Sequence, residues 1–218
     1  MDLSALKWDA AGLVTVVVQD RLTGAIRMVA HANAEAVRRT VESREGWFYS
    51  RSRASLWKKG ESSGHVLAVH EVWIDCDADA LVYSVDPEGP SCHTGSTSCF
   101  FTPALAPAGM RAPLPMLERL EEALRERAAS TETKSYTRSL LTAGAPKIGA
   151  KLREEADELA RAIEGESDER VASEAADVVY HAMVGLLSRG IALRDVEAVL
   201  AKRFGVSGHD EKAARPAK

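Results

Sequence analysis

Thr102-Pro103-Ala104-Leu105-Ala106-Pro107-Ala108-Gly109-Met110-Arg111-Ala112-Pro113-Leu114-Pro115 holds four of the chain's eight prolines, and the composition on its two sides differs so much that this stretch divides the fold. Proline fixes φ and cannot donate a backbone hydrogen bond, so the run reads as a semi-rigid linker over residues 103–115. Every tryptophan and every cysteine precedes it, whereas the sequence after it is rich in Ala, Leu, Glu and Arg. Two domains are expected, residues 1–102 and 116–218.

Working back from the linker, short β-branched runs alternate with turn residues. Leu13 to Asp20 and Ala25 to Ala30 predict a hairpin, Asn33 an N-cap for a helix to about Ser43, and Trp47 to Ser50 a further strand. Val66 to His70, Val72 to Cys76 and Leu81 to Val85 should also be extended. Mixed short strands with one helix make an α+β domain. Working forward, Met116–Ala129 carries Leu117, Leu120 and Leu124 at helical spacing; helices follow at about 148–163, 171–188 and 193–204, so the second domain should be all-α.

The chain has 218 residues, with 45% hydrophobic and 28% charged side chains, the balance of an ordinary globular protein. A net charge of −4 supplies no global attraction to nucleic acid or anionic membrane, and neither is expected as a partner. Acids stand near the N-terminus where a signal peptide needs bases, and no run approaches a membrane span. With an odd cysteine count, this points to a reducing, cytoplasmic setting.

Chemistry concentrates just before the linker. Cys76, Cys92 and Cys99 are the only thiols, and they lie close together in sequence. Three thiolates without a fourth suit zinc in an open coordination that leaves room for an activated water, although free cysteines also serve as small buried apolar side chains. Asp75, Asp77 and Asp79 alternate with Cys76; in an extended strand the carboxylates would share one face, suited to Mg²⁺, and the thiol the other. An EF-hand is excluded, because Ala80 and Asp86 stand where its Gly and Glu are needed. Upstream, Arg51 to His65 reads as a basic Ser- and Gly-rich loop able to cradle phosphate, or as a solvated turn. Trp57 within it should pack on the core or on a flat ligand.

In the helical half, Leu152, Ala156, Leu159 and Ile163 predict one apolar stripe, and Val171, Ala175, Val178, Ala182 and Leu186 another. Glu155 and Glu158 stand at the same angular offset from the first as Glu174 and Asp177 from the second. The short turn at 164–169 demands an antiparallel hairpin that brings the two acid pairs together. They would repel unless cations bridge them; the alternative is two solvated faces.

These residues also carry a resemblance. Residues 12–101 resemble phosphoribosyl-AMP cyclohydrolase of histidine biosynthesis, through Trp47 to Arg53, Leu56 to His65, Asp75 to Leu81, Cys92 to Gly95 and Ser98 to Phe101. Residues 116–215 resemble phosphoribosyl-ATP pyrophosphohydrolase, a helical relative of MazG-type nucleotide pyrophosphatases, through Ser135-Tyr136-Thr137, Lys147-Ile148-Gly149, Lys151 to Glu158, Glu174 to Asp177 and Tyr180-His181. His31 and Leu67 depart from the family pattern, where Tyr and Gln are usual.

The resemblance implies a fused bifunctional hydrolase that binds ATP-derived phosphoribosyl nucleotides. The second domain would release pyrophosphate from phosphoribosyl-ATP, and the first would open the adenine ring of phosphoribosyl-AMP. It further implies zinc on Cys76, Cys92 and Cys99, with Cys76 from the partner in a homodimer, and Mg²⁺ on Asp75, Asp77 and Asp79. A second Mg²⁺ site would use Glu154, Glu155, Glu158, Glu174 and Asp177. Substrate would meet Arg51, Arg53, Trp57, Lys59, Ser62, Ser63, His65, Lys147 and Lys151, with His93 as general acid or base or as a residue orienting a ligand. A structural zinc module would want four ligands and a basic surface, and an interaction scaffold leaves the matched acids unexplained.

Overall fold

The computed structural model describes residues 5–106, 112–130 and 135–204. It divides into two compact units, Met1–Pro115 and Met116–Lys218. Residues 107–111 of the predicted linker, and the segment 205–218 of the predicted second domain, lie outside the described residues.

The first unit is a six-stranded mixed sheet with one helix. In chain order the elements are β1 (Val14–Asp20), β2 (Ile26–Ala32), α1 (Ala34–Ser43), β3 (Trp47–Ser50), β4 (Ser55–Lys58), β5 (Leu67–Ile74) and β6 (Ala80–Pro87). Their order in the sheet is β4-β3-β2-β1-β6-β5, with β1 and β6 parallel and the other pairs antiparallel. Strand β1 buries alternate residues, so Val14, Val16 and Val18 enter a core with Val37, Phe48, Leu67 and Tyr83. The Asn33 side chain accepts from the Ala36 N–H at 2.9 Å and starts α1, as its position predicts.

Three local expectations are corrected. Ser55–Lys58 is a strand paired with β3, because Leu56 and Trp57 pack on the core cluster; only the flanking residues remain loop. The extended runs on either side of Glu71 form one strand with an irregularity between Val69 and Glu71. Residues 75–79 are a turn and not a strand: Asp75 Oδ1 accepts the Asp79 and Ala80 N–H groups, each at 3.0 Å, and Ala78 adopts φ 66°. An aspartate that can bond its own backbone competes with the ladder, and here the side chain wins.

The second unit contains α2 (Met116–Ala129), α3 (Tyr136–Ala143), α4 (Ala145–Gly165), α5 (Asp168–Ser188) and α6 (Leu193–Arg203). Helix α3 is not predicted by the periodicity, being short and set between an N-cap, Ser135, and a positive-φ Gly144. The buried positions of α4 are Ile148, Glu155 and Ala162, and those of α5 are Glu174, His181, Met183 and Val184. The seam therefore follows the acids, while Ala156 and Ile163 of the expected apolar stripe are exposed. Burying carboxylates demands partners, and Lys151, Arg170 and His181 supply them. Among the described residues no single helix is long and apolar enough to cross a membrane.

Candidate active sites

In the first unit a cavity of about 610 Å³ is lined by β2, the turn between β3 and β4, β4, the loop that follows β4, and the loop that follows β6. Two glycines allow the loops to close on each other. At Gly60, with φ +88°, a Cβ would lie 2.6 Å from the Val66 nitrogen, and at Gly89, with φ +112°, 2.6 Å from His65 Nδ1.

Arg53, Trp57, Lys59, Ser62, Ser63, His65, Cys92, His93 and Cys99 all line this cavity. Arg51 does not, and its charge is felt instead by His31. Trp57 packs on Phe48, ring centroids 4.9 Å apart, so the core holds one side of the indole while the cavity meets another. Lys58 also lines it, with its amine paired to Glu45 at 3.0 Å. Lys59 reaches the His65 and Pro90 carbonyls at 3.4 and 3.5 Å; burial lowers its pKa, opposed by the charges of Cys99 and Cys92.

The two cavity thiols differ. Cys92 is held below the usual thiol range, chiefly by the Thr94 hydroxyl that donates to its sulfur at 3.2 Å. Burial and the neighbouring Cys92 push Cys99 up. His93 Nδ1 stands 3.8 Å from the Cys92 sulfur. Cys76 is exposed in the β5–β6 turn and does not line the cavity, so one chain brings two of the three predicted zinc ligands together.

Arg27 is a residue the motif search missed. It is buried in β2, donating through Nε to Ser91 Oγ at 3.1 Å and through Nη2 to the Gly89 carbonyl at 2.8 Å, and its own carbonyl receives the Cys99 N–H at 2.9 Å. It therefore fixes both thiol-bearing segments against the sheet. A lone cation inside the apolar run Ala25 to Ala30 was the available signal.

The Asp75, Asp77 and Asp79 carboxylates converge within 4.8 Å by curling round the turn. The charges of Asp77 and Asp75 raise Asp79, whereas the Ala80 N–H leads the groups that lower Asp75.

In the helical unit, Glu155, Glu158 and Glu174 also come within 4.8 Å of one another. Glu174 is buried; Arg170 holds Oε1 at 2.7 Å, and among the described residues Oε2 has no hydrogen-bond partner. Glu158 approaches it within the same group. Burial raises Glu174, and Glu158 and Asp177 push it further against Arg170. An orphaned buried oxygen among three acids is the donor set a hard divalent cation fits. Lys151 Nζ lies 2.9 Å from both Glu154 and Glu155, which commits that amine to carboxylates. Glu154 and Asp177 stand outside the tight group, although Asp177 is near enough to act on Glu174.

The first unit thus carries a loop-built thiol cavity beside a mixed sheet, and the second a carboxylate seam between helices. Residues 28–101 match the phosphoribosyl-AMP cyclohydrolase family and residues 117–204 the phosphoribosyl-ATP pyrophosphohydrolase family. The chain is 41% identical to the histidine biosynthesis bifunctional protein hisIE, chloroplastic, of Arabidopsis thaliana, over 98% of this chain and 80% of that one. It is 38% identical to the bifunctional protein HisIE of Wolinella succinogenes, over 98% and 97%, and 41% identical to that of Deinococcus radiodurans, over 95% of each. The chain belongs to this family of bifunctional histidine-biosynthesis enzymes, which carry out the pyrophosphohydrolase and cyclohydrolase steps. Both component families are metal-dependent in general. Of the two departures noted in the sequence, Leu67 is a buried core residue beside Gly46, and His31 pairs with Tyr49 across β2 and β3.

Proposed function

We propose that the two steps are run by separate metal centres, within domains bounded at residues 1–102 and 116–218 and joined by a linker over 103–115. The reading rests most on the orphaned Glu174 Oε2 inside the Glu155, Glu158 and Glu174 group. Magnesium held there by these acids, with Glu154 and Asp177 as further ligands, would neutralise triphosphate charge and favour release of pyrophosphate. Lys147 contributes positive potential to Glu154 and is suited to meet the substrate's phosphates.

In the other domain Cys92 and Cys99 of one chain, with Cys76 of a second, are proposed to hold zinc in a homodimer. The Cys92 thiol, held below the usual range by the Thr94 hydroxyl, supports it, as does the exposure of Cys76 beyond the end of the edge strand β5. Trp73 on that strand is 61% exposed, an apolar surface of the kind a second copy covers. Ile163, Val179, Val199 and Leu200 give the helical unit uncovered apolar residues as well. Zinc bound at the thiols would activate water for attack on the amino-bearing carbon of the purine. Arg53, Lys59, Ser62 and Ser63 offer donors for phosphate, with Arg51 further out, and Trp57 and His65 provide a wall for the flat base. His93, beside Cys92, is suited to move the proton. Asp75, Asp77 and Asp79 are proposed to hold Mg²⁺, which relieves the repulsion that raises Asp79. The setting proposed for the enzyme is the cytoplasm.

The test is a two-stage assay on one purified sample, following pyrophosphate release and ring opening after chelation. Mg²⁺ alone should restore the first step, and the second should return only when zinc is also supplied. Recovery of both steps with a single metal would overturn the assignment of two distinct centres.

A further inference from the structure

His181 of α5 is 3% exposed, and neither proposed reaction uses it. Its Nδ1 lies 2.9 Å from the Asp177 carbonyl and 3.9 Å from Glu155 Oε1, while Nε2 lies 3.2 Å from the hydroxyl of Tyr136, the first residue of α3. In a neutral imidazole one nitrogen donates and the other accepts. The carbonyl can only accept, so Nδ1 carries the hydrogen and Nε2 receives the Tyr136 O–H.

The ring is also held in place by its neighbours. Tyr136 stacks on Tyr180 with an interplanar angle of 14°, and the imidazole meets both phenols edge-on at 87°. Thr137 Oγ1 and the Tyr180 hydroxyl, 2.8 Å apart, tie the same turn of α3 to α5. On its other side Glu155 Oε1 meets Lys151 Nζ at 2.9 Å, so that oxygen is held between an amine and the imidazole edge. A core histidine needs none of this aim; an apolar side chain would fill the space without a buried polar ring to satisfy.

We propose that His181, oriented by Tyr136, is a positioning residue for the carboxylate centre: its Nδ1–H anchors the Asp177 carbonyl on α5 and faces Glu155 on α4, setting the spacing of acids across the seam. The inference rests on the reading of that centre as a divalent-cation site. Helix α3, which the periodicity of the sequence does not announce, thereby gains a role, since its first turn supplies the hydroxyl that donates to Nε2 and holds the ring in place.

Two isosteres separate the ring's two ends. Asparagine keeps an N–H near the δ position, whereas glutamine places its amide near ε. The probe is Mn²⁺, measured by electron paramagnetic resonance on the zinc-loaded full chain carrying Asp75→Asn, Asp77→Asn and Asp79→Asn, which removes the exposed turn as a competing site. H181Q should weaken Mn²⁺ binding about 10- to 100-fold, the usual cost of losing a residue that orients a ligand, and H181N should stay within about threefold. Y136F, at a residue 51% exposed, tests the idea without opening the core. In ¹⁵N spectra of labelled histidine it should shift the Nε2 resonance, which loses its hydrogen-bond donor, while Nδ1 keeps its hydrogen, with Mn²⁺ binding weakened about tenfold. Equal losses in H181N and H181Q, or a Y136F chain with unchanged Nε2 resonance and affinity, would overturn the proposal. E158Q distinguishes the two levels: if it binds Mn²⁺ as the parent does, the cation reading itself fails. If E158Q loses Mn²⁺ while H181Q keeps it, the positioning role alone fails.

Discussion

The thiol cavity and the carboxylate seam are built by opposite means. The first gathers its side chains from strands β2 and β4 and from three loops, held by the buried Arg27 and by glycines where two of the loops touch. The second repeats acids at helical spacing on two consecutive helices joined by a two-residue turn, Glu166 and Ser167. A loop-built site depends on distant parts of the sheet being in register, whereas a helix-built site depends on the relation of two neighbours. The contrast extends to charge: the cavity is lined by the cations Arg53, Lys58 and Lys59, while the seam gathers Glu155, Glu158 and Glu174.

The largest effect expected from this contrast is all-or-none. Chains carrying Cys76→Ser and chains carrying Cys92→Ser should each be inactive in ring opening, since every site in either of the proposed homodimers would lack one of its three sulfur ligands. Refolded together, they form mixed dimers in which both defects fall in one site, so roughly half the sites in each mixed dimer should bind zinc and turn over. Mixed dimers without recovered activity would mean that each thiol site is completed within one chain. Next in size is the loss of a phosphate donor. Lys59→Ala or Arg53→Ala should raise the KM for phosphoribosyl-AMP about tenfold or more, the worth of one charge-assisted hydrogen bond, with zinc content unchanged by elemental analysis. Loss of metal in these variants would move the loop from binding to scaffolding. The smallest effect is on stability: Asn33→Ala removes the cap of α1 and should cost the first unit about 1 kcal/mol, lowering its melting transition while that of the helical unit stays in place. A joint shift of both transitions would show that the units melt as one.

Legibility in the sequence followed the same division. Residue types with fixed backbone consequences read correctly: Asn33 as a cap, Trp47 to Ser50 as a strand, and Glu155, Glu158 and Glu174, three of the four paired acids of α4 and α5, as meeting partners. Alternation misled at Asp75 to Asp79, where a carboxylate bonding its own backbone made a turn of an apparent strand; the acids still converge, by curvature and not by pleat. The apolar stripe of α4 misled too: hydrophobic periodicity assumes the core takes the most apolar face, but Ala156 and Ile163 are exposed while Glu155 is buried against Lys151. Arg27 and His181 stayed without a role because their importance lies in which carbonyls and hydroxyls surround them, and those neighbours are set only by the fold.

The central claim, two chemically independent centres on one chain, is tested most directly by assaying both reactions on Cys92→Ser and on Glu158→Ala. The first variant should lose ring opening of supplied phosphoribosyl-AMP and keep pyrophosphate release from phosphoribosyl-ATP. The second should lose pyrophosphate release by about 10²- to 10³-fold, the scale of removing one essential electrostatic contact, and keep ring opening. If either substitution abolishes both activities while both units remain folded, the centres are not independent and the account is wrong.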